Sequence, residues 1–542
     1  MKKYTRWIVI GVVLLALAAM VAWAFSQETS MTPQASEAWS RGRIIGATSI
    51  KRGVSLQPAP DGGVFLVWPN MDDDIQLARI GADGEVLLDH VLPIQTRKAR
   101  DPQLRVGSDG RLHLLWREQE GQHAGIHHNL LQADGTPVGQ SQLISEPRRR
   151  ISDAPRLIRD AENRFHALWA DDAGIHWAML DDAGGMTVEP TLLIPDGSVP
   201  MVQMDATGRL HAIWQYQVRG SSIIIYYAVL DPEQGELGPT EEITEVVISG
   251  PLQLEEVAFG LSQDKGYVFW SDYNSRYYRY TFQYASFPVD APRQRRINLW
   301  ELRVGAGPLA IAPPDGQQSL LPVALSELVM GAGQEVELQI ALITVGQEAA
   351  AEQVVTASSQ ASMKPVLIVD DRSYLHIAWL ETGGFGEYNV VYASTAPEVV
   401  ENYNSLTFID TLNAAFDGVF RFSTVIVSLV AALATWAMIP LVGLVVYHVV
   451  TSEETLDTAR SWTVVSATLI LEVALGFVFP PRIGVETTWS AARWIVPSVT
   501  AVVAITITGG ILRRQKDKHL FGTFFLFTGL NCLLQLVLYL LL

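Results

Sequence analysis

The chain has 542 residues, of which 49% are hydrophobic and 18% are charged, and its formal net charge is −18. That balance argues against nucleic-acid binding, which requires a basic face that displaces counterions. The one cysteine, Cys532, lies in an apolar C-terminal run, so the polar part of the chain has no disulfide and no cysteine zinc site. We expect no metal, no cofactor and no nucleic-acid partner, and a length sufficient for two or three domains.

The N-terminus predicts export. Basic residues Lys2, Lys3 and Arg6 precede an apolar run over 7–25. Two interpretations stay open for residues 1–25: a signal peptide cleaved after the small-residue motif at 22–24, or a retained signal anchor, since 19 apolar residues can span a bilayer. Both place the next part of the chain outside the cytoplasm, beginning with a linker over 26–42.

A repeat occupies the middle of the chain. Four segments align without gaps: each begins with a turn-forming residue, has His three residues later and ends with Trp three residues after that. They are 110–116, 163–169, 208–214 and 373–379, and segments 62–68 and 264–270 have a similar pattern. The repeated residues are Trp68, Trp116, Trp169, Trp214, Trp270 and Trp379, with His113, His166, His211 and His376. Such self-similarity is the signature of a repeat architecture.

Prolines mark the other end of each unit. Pro102, Pro155, Pro200 and Pro365 each lie fourteen residues before their Trp. Segment 308–316 matches the same frame but has Pro322 where Trp is expected, which predicts a degenerate unit. Seven units of roughly 50 residues are typical of a β-propeller with one four-stranded blade per unit. We therefore predict an all-β, seven-bladed propeller over 43–397.

Each unit predicts four strands, A to D. Proline opens strand A, a short turn such as Asp109-Gly110 leads to strand B, and strand B runs to the Trp. Strand C is predicted at 75–80, 126–131, 175–180, 223–230 and 389–393. After strand C of the last unit the chain leaves the repeat. We predict that segment 43–50 supplies the missing outer strand and closes the ring, which removes open edges.

The stretch 43–397 resembles the sialidase-like (BNR-type) propellers, which have Gly-x-x-His-x-x-Trp repeats. The resemblance implies the propeller fold and, as one alternative, glycoside hydrolysis. Sialidase Asp boxes read Ser-x-Asp-x-Gly-x-x-Trp, and Ser108-Asp109-Gly110 lacks that spacing. No catalytic residue is therefore assigned, and no spacing of carboxylates selects the pair that a hydrolase needs.

The repeated histidines could suggest a metal site, but equivalent positions in different blades are held apart around the ring. We interpret them, with the repeated Trp residues, as packed and hydrogen-bonded scaffold. Irregular loops are the preferred place for binding. Three connections predicted to join strand D to the next strand A are basic, whereas strand B–C loops near 72–74, 171–172 and Glu381 are acidic. Arginine forks suit carboxylate or phosphate ligands; the alternative is a solvated, charge-balanced rim. The candidate ligand-binding residues are Arg97, Arg100, Arg148, Arg149, Arg150, Arg293, Arg295 and Arg296.

After a linker over 398–421, residues 422–542 predict a four-helix membrane domain with spans near 422–450, 462–479, 494–512 and 520–542. By the positive-inside rule, we expect the basic loop 513–519 to be cytoplasmic. The chain is then a multi-pass protein of the cell membrane, with its propeller on the extracytoplasmic side. Glu472 lies mid-span and is a candidate functional group; the alternative is a hydrogen bond to Asn531 or Gln535.

The sequence thus predicts a membrane-anchored, extracytoplasmic binding or scaffold module for a glycan, an anionic ligand or a protein partner. Two alternatives come from other classes. One is a sialidase-like glycoside hydrolase, and the other is the sensor subunit of a membrane transport or signalling complex.

Overall fold

The computed structural model describes residues 31–49, 54–119, 124–147, 150–218, 222–233, 235–248, 250–277, 279–300, 310–330, 336–345, 352–358, 360–384, 386–405, 436–478 and 492–541. The chain divides into two compact units, Glu28–Ser405 and a unit that combines Met1–Gln27 with Leu406–Leu542. The predicted N-terminal segment 1–25 lies outside the described residues, as do Arg148 and Arg149.

The first unit is a seven-bladed propeller, as predicted, because its strands form seven separate sheets. Blades 1 to 3 contain β2 (Ser55–Pro58), β3 (Val64–Pro69), β4 (Ile75–Ile80), β5 (Val86–Val91), β6 (Ala99–Val106), β7 (Leu112–Glu118), β8 (Gly125–Leu131), β9 (Gln142–Leu143), β10 (Arg156–Arg159), β11 (Phe165–Ala170), β12 (Gly174–Leu180) and β13 (Met186–Pro195).

Blade 4 differs in having two separate stretches paired to its strand C. In blade 6, the connection from strand A to strand B contains a two-residue strand, Gln317–Gln318, that pairs with blade 5. Blades 4 to 7 contain β14 (Gly197–Met204), β15 (Leu210–Val218), β16 (Ser222–Asp231), β17 (Glu236–Leu237), β18 (Glu241–Val247), β19 (Leu252–Ser262), β20 (Lys265–Asn274), β21 (Arg279–Pro288), β22 (Arg296–Trp300), β23 (Ala310–Ala312), β24 (Gln317–Gln318), β25 (Leu321–Met330), β26 (Val336–Val345), β27 (Gln353–Val354), β28 (Ser362–Val369), β29 (Leu375–Gly384) and β30 (Glu387–Ser394).

The ring closes as the sequence predicts. The early strand β1 (Arg43–Thr48) pairs antiparallel with β30 and is the outer strand of blade 7. Helix α1 (Pro397–Asn404) comes next, and its Asn404 side chain accepts a hydrogen bond from Arg41 N at 2.7 Å and donates one to Trp39 O at 3.1 Å. The two ends of the propeller chain are therefore fastened to each other.

The core of the propeller lies between blades. Strand B is buried on both sides in blades 1 to 3, because each of its faces packs against a neighbouring sheet. Trp116, for example, belongs to a cluster that joins strands of blades 1 and 2. This inter-blade packing explains why the Trp recurs once per unit.

The predicted position of Pro322 in the degenerate unit is wrong by three residues. Pro322 is the second residue of β25, whereas Trp116 is the fifth residue of β7. The fifth residue of β25 is Leu325, which is buried against residues of blade 5, the preceding blade. The discrepancy arises because the connection between strands A and B is longer in blade 6 than elsewhere.

The prolines also lie deeper in strand A than predicted. Only Pro155 immediately precedes its strand; Pro102, Pro200 and Pro365 lie inside β6, β14 and β28, where the register with strand B is interrupted. A proline has no N–H for the ladder, so within a sheet it is tolerated at such a bulge.

The described part of the second unit is helical. Helix α2 covers 436–451, and it is followed by α3 (Ala459–Val478), α4 (Ala492–Leu512) and α5 (Leu520–Leu541). By length and composition, two described segments could cross a membrane, Ala459–Phe477 and Ile495–Leu512; two shorter apolar segments are Trp436–Thr451 and Leu520–Gln535. The predicted span 422–450 is described only from residue 436 onward.

Candidate functional site: the central cavity of the propeller

A cavity of about 740 Å³ lies at the centre of the ring and is lined by strand A of all seven blades. In blades 2, 3, 4 and 7, residues that follow the proline of strand A line it. Gln103 and Arg105 come after Pro102, and Arg156 and Ile158 come after Pro155; all four line the cavity. The reason is the two-residue period of a strand, which places alternate side chains on one face.

One end of this cavity is crossed by residues 313–320 of blade 6, here called the floor loop. Its Asp315 forms an ion pair with Arg105 of blade 2 at 2.5 Å, and its Gly316 N donates to Gln203 of blade 4 at 2.6 Å. β24, within the same loop, pairs in parallel with β19 of blade 5. Contacts with blades 2, 4 and 5 place this loop across the end of the cavity that carries the A–B turns.

The opposite end carries the connections from strand B to C and from strand D to the next strand A, and is here called the B–C face. Antiparallel blades put A–B and C–D turns on one face and these connections on the other. The floor loop thus lies at the end of the cavity opposite to the B–C face.

Charged groups line the cavity, and most of them are paired. Besides the Arg105–Asp315 pair, Lys364 Nζ lies 3.0 Å from Glu256 Oε2. Asp101 pairs at 2.7 Å with Arg117, a residue that is 1% exposed. Each pair joins two blades or two strands of one blade, so these ions hold the inner strands together and neutralise one another.

Arg156 is different. It lines the cavity half-buried, and its Nε donates to Pro200 O at 3.3 Å. No carboxylate of the described residues lies within 4.0 Å of its guanidinium. Burial lowers the pKa of Arg156 despite the opposing field of carboxylates such as Asp315. This guanidinium is therefore a cavity-lining cation with no described carboxylate in contact, and its N–H groups suit carboxylate or phosphate oxygens.

The predicted arginine clusters do not share one surface. Arg97 and Arg150 lie in D–A connections on the B–C face, as predicted, whereas Arg100 is the second residue of β6, so the prediction that it belongs to a connection is wrong. Arg293 and Arg295 instead lie in the C–D connection of blade 5, and Arg296 begins its strand D, so the prediction that they belong to a D–A connection is wrong. Because strands B and C of blade 5 are ten residues long, its strand D begins later in the chain than the repeat suggests.

Two of these arginines bind carboxylates of the propeller itself. Arg100 pairs with Asp73 at 2.9 Å, and Arg293 Nε lies 3.0 and 2.9 Å from the two oxygens of Glu241. Arg97, Arg150, Arg295 and Arg296 are exposed. The loop charges are thus partly used to fasten connections to one another.

The repeated histidines are buried within their own blades. His211 Nδ1 lies 2.7 Å from Tyr227 Oη and its Nε2 lies 3.0 Å from Asp205 Oδ2. His166 Nε2 contacts Asp160 Oδ2 at 3.0 Å. The same position bonds to other partners in the remaining blades, His376 to Tyr392 at 2.8 Å and His113 to His128 at 3.2 Å. Among the described residues, no group of three His, Cys, Asp or Glu side chains could hold a metal ion.

A second repeated feature escaped the sequence reasoning. An acidic residue lies two positions after the Trp in four blades and two positions after Leu325 in blade 6. These residues are Glu118, Asp171, Asp272, Glu327 and Glu381. Burial raises the pKa of Asp272 and of Glu381, and raises that of Glu327 to about 8 with help from the Glu352 carboxylate. An alignment of the units on this acidic residue, two positions after the Trp, would also have identified Leu325 as the residue that replaces Trp in blade 6.

In the helical unit, Glu472 is 1% exposed and its Oε2 accepts a hydrogen bond from Thr528 Oγ1 at 2.6 Å. Its predicted neighbours Asn531 and Gln535 are buried on the same helix, α5, as Thr528. Glu472 therefore belongs to a polar contact between α3 and α5.

No protein-family model and no curated protein matches the sequence. Solved structures with a similar fold include the polysaccharide lyase Uly1, with 9% identity, coverage of 63% of this chain and 89% of that chain, and a TM-score of 0.46. A PL25 ulvan lyase has 9% identity, 64% and 94% coverage and a TM-score of 0.45. The α-L-arabinofuranosidase Arb93A from Fusarium graminearum has 11% identity, 56% and 94% coverage and a TM-score of 0.36. At these identities the likeness concerns the propeller fold alone.

Proposed function

We propose that this protein is a membrane-anchored binding module whose propeller takes an anionic ligand, such as an acidic glycan, into the central cavity. The observation that carries the proposal is Arg156, a cavity guanidinium without a described carboxylate within 4.0 Å. Around it, Asp153 and Glu255 also line the cavity and can accept hydrogen bonds from hydroxyl groups. A sugar acid offers both an anion for the arginine and hydroxyls for the carboxylates.

The anchoring part of the proposal has separate support. Two described helical segments are apolar and long enough to cross a bilayer. The basic N-terminal residues Lys2, Lys3 and Arg6 and the basic loop 513–519 favour the cytoplasmic side, which leaves the propeller on the extracytoplasmic side. Helices α2 to α5 would hold the propeller at the membrane surface or join it to a membrane partner.

The test compares an acid with its neutral counterpart on the full chain in detergent micelles. Tetragalacturonate and its methyl ester are titrated by calorimetry, after a broader screen of glycans. We expect the acid to bind more tightly than the ester, and Arg156→Met to weaken binding of the acid by about tenfold or more, since hydrogen bonds to charged groups contribute about 1.5–3 kcal/mol.

Arg159→Met is the matched control. Arg159 lies three residues further along the same strand, donates to Asn163 and to Val106 O, and does not line the cavity. Equal loss in both variants, or no binding of any glycan by the native chain, would refute the proposal. Co-purification of an integral-membrane protein together with an absence of glycan binding would favour the sensor-subunit alternative.

A glycoside hydrolase is the second candidate, because Asp153 and Glu255 share the cavity with Arg156. Hydrolysis requires two carboxylates that flank the scissile bond. The measurement is release of reducing ends from a glycan that the native chain binds. Turnover that disappears in both Asp153→Asn and Glu255→Gln, with binding retained, would establish catalysis and replace the binding-only function.

A further inference from the structure

The B–C face is higher on one side than on the other. In blades 4 to 7 the paired part of strand B continues four or five residues past the Trp position, to Val218, Asn274, Met330 and Gly384. In blades 1 to 3 it ends one or two residues past the Trp, at Pro69, Glu118 and Ala170. Three extra residues of strand raise a hairpin by about 10 Å. The paired hairpins thus form a wall on one side of the cavity and leave the other side low.

The low side carries exposed arginines on the two connections that flank blade 2. Arg97 lies on the connection from blade 1, and Arg150 lies on the connection from blade 2 to blade 3. Among the described residues, neither guanidinium lies within 4.0 Å of a carboxylate. Several carboxylates of this side already have partners, since Asp73 binds Arg100, Asp74 accepts from Thr96 Oγ1 at 2.9 Å, and Asp171 lies 3.0 Å from His176.

Both connections lead inward to the cavity. Arg97 precedes Asp101 and Gln103 along the chain, and Arg150 precedes Asp153 and Arg156; these four later residues all line the cavity. The two connections thus run from the outer strands of blades 1 and 2 to cavity-lining residues, and each carries an exposed arginine.

The wall carries exposed aromatic rings. Tyr216, in β15 of blade 4, is 38% exposed, and Tyr277, at the end of the blade 5 hairpin, is 68% exposed. The guanidinium of Arg276 lies 5.7 Å from the centre of the Tyr277 ring. Tyrosine supplies a flat apolar surface with a polar end, which suits the face of a sugar ring.

We infer that the ligand is a chain: a polyanionic glycan that lies across blade 2 on Arg97 and Arg150, with one acidic sugar in the cavity and further sugars against the aromatic wall. This inference rests on the proposed function, because Arg156 is the site of that sugar. The low side lets a chain continue beyond the cavity, which a cavity walled on all sides would not. Charge complementarity along the route selects an acidic glycan over a neutral one.

The experiment measures how affinity depends on chain length. Galacturonate oligomers from the monomer to the octamer are titrated against the full chain in detergent micelles. We expect affinity to rise with length, and the Arg97→Ala/Arg150→Ala double variant to bind the monomer as the native chain does while losing about fivefold for the octamer, the effect of two exposed ion pairs. Added salt should reduce the native preference for the octamer.

Arg295→Ala, in the C–D connection of blade 5, is the matched control and should bind every oligomer as the native chain does. An octamer advantage that persists in the double variant would overturn the inference and leave the cavity site intact. Equal binding of polyglutamate of matched charge, with the same dependence on Arg97 and Arg150, would also overturn it, because the surface would then suit an acidic protein segment. The single variant Arg156→Met tests the proposed function separately, because it should lose binding of the monomer.

Discussion

The buried histidines of the propeller couple its stability to pH. Burial lowers the pKa of His113 to about 4 and that of its partner His128 to about 3. Burial also lowers the pKa of His211 and of His376, although the neighbouring Asp205 and Asp370 oppose the shift. The native propeller therefore holds these imidazoles neutral at a pH at which the unfolded chain protonates them.

Stability of the propeller should fall as the pH drops from 6.5 toward about 4, because over that window the unfolded chain binds protons that the folded chain does not. His113→Asn should flatten this dependence, since one of the contributing groups no longer titrates. The measurement is urea unfolding of the full chain in detergent, monitored by tryptophan fluorescence across the window.

His90→Asn is the control, because His90 lies half-buried on the outer strand β5, away from these contacts. The pH dependence of stability should be flatter in His113→Asn than in His90→Asn. Stability that stays constant or rises as the pH falls would contradict this role of the buried histidines.

At the level of single residues, the sequence predicted the scaffold residues of the propeller better than the residues of its cavity. The Trp and His positions repeat because every blade meets the same neighbours, so periodicity alone finds them. Arg156 does not repeat: the corresponding residues are Gln103, Met201 and Val366. Its position facing the cavity could have been predicted from the proline frame. That no described carboxylate contacts it depends on which side chains of other blades reach it, and no local pattern contains that information.

Among the elements, blade 6 departs from the repeat and supplies the loop that crosses one end of the cavity. Its strand B has Leu325 where other blades have Trp, and its A–B connection is long enough to form the floor loop. The hydrogen bond from Gly316 N to Gln203 and the ion pair of Asp315 with Arg105 fasten that loop to blades 4 and 2. The degeneracy of this unit thus accompanies a distinct structural role.

Gln203→Leu should loosen the floor loop, because the Gly316 amide then loses its acceptor inside the protein. Hydrogen–deuterium exchange should become faster at 313–320 by about fivefold, since a typical hydrogen bond contributes about 1 kcal/mol. The Gly208 amide, which donates to Asp205 O within its own turn, should exchange at the native rate. Unchanged exchange at 313–320 would show that the floor loop is held by other contacts.

Where the repeat is regular, the observed strand boundaries agree closely with those predicted from the sequence. Strand C of blade 1 was predicted at 75–80 and is Ile75–Ile80, and strand C of blade 4 was predicted at 223–230 and is Ser222–Asp231. The prediction failed for Arg293, Arg295 and Arg296, because the long hairpin of blade 5 shifts its strand D along the chain. Hairpin length differs from blade to blade, and the repeat of Trp, His and Pro positions does not encode it.

For the whole molecule, closure of the ring depends on a strand that is distant in sequence from its partner. β1 pairs with β30, and Gly46 of β1 lies against the Trp68 ring of blade 1. A Cβ at position 46 would lie 2.5 Å from Trp68 Cζ2. The glycine therefore allows blade 7 to approach blade 1 at the seam.

Gly46→Val should destabilise the propeller by about 1–3 kcal/mol, the usual effect of overpacking a core. Gly139→Val is the control, because no heavy atom lies within 4 Å of a Cβ at that position. Denaturant unfolding of both variants distinguishes them. Equal stability of the two would mean that the seam accommodates a side chain and that Gly46 is not required for closure.

The most direct test of the central claim is an experimental structure of the full chain with tetragalacturonate. It should show seven blades, a floor loop in contact with Arg105 and Gln203, and a sugar carboxylate within hydrogen-bond distance of the Arg156 guanidinium. A cavity open at both ends, or a ligand bound elsewhere while the cavity stays empty, would contradict the proposed binding site.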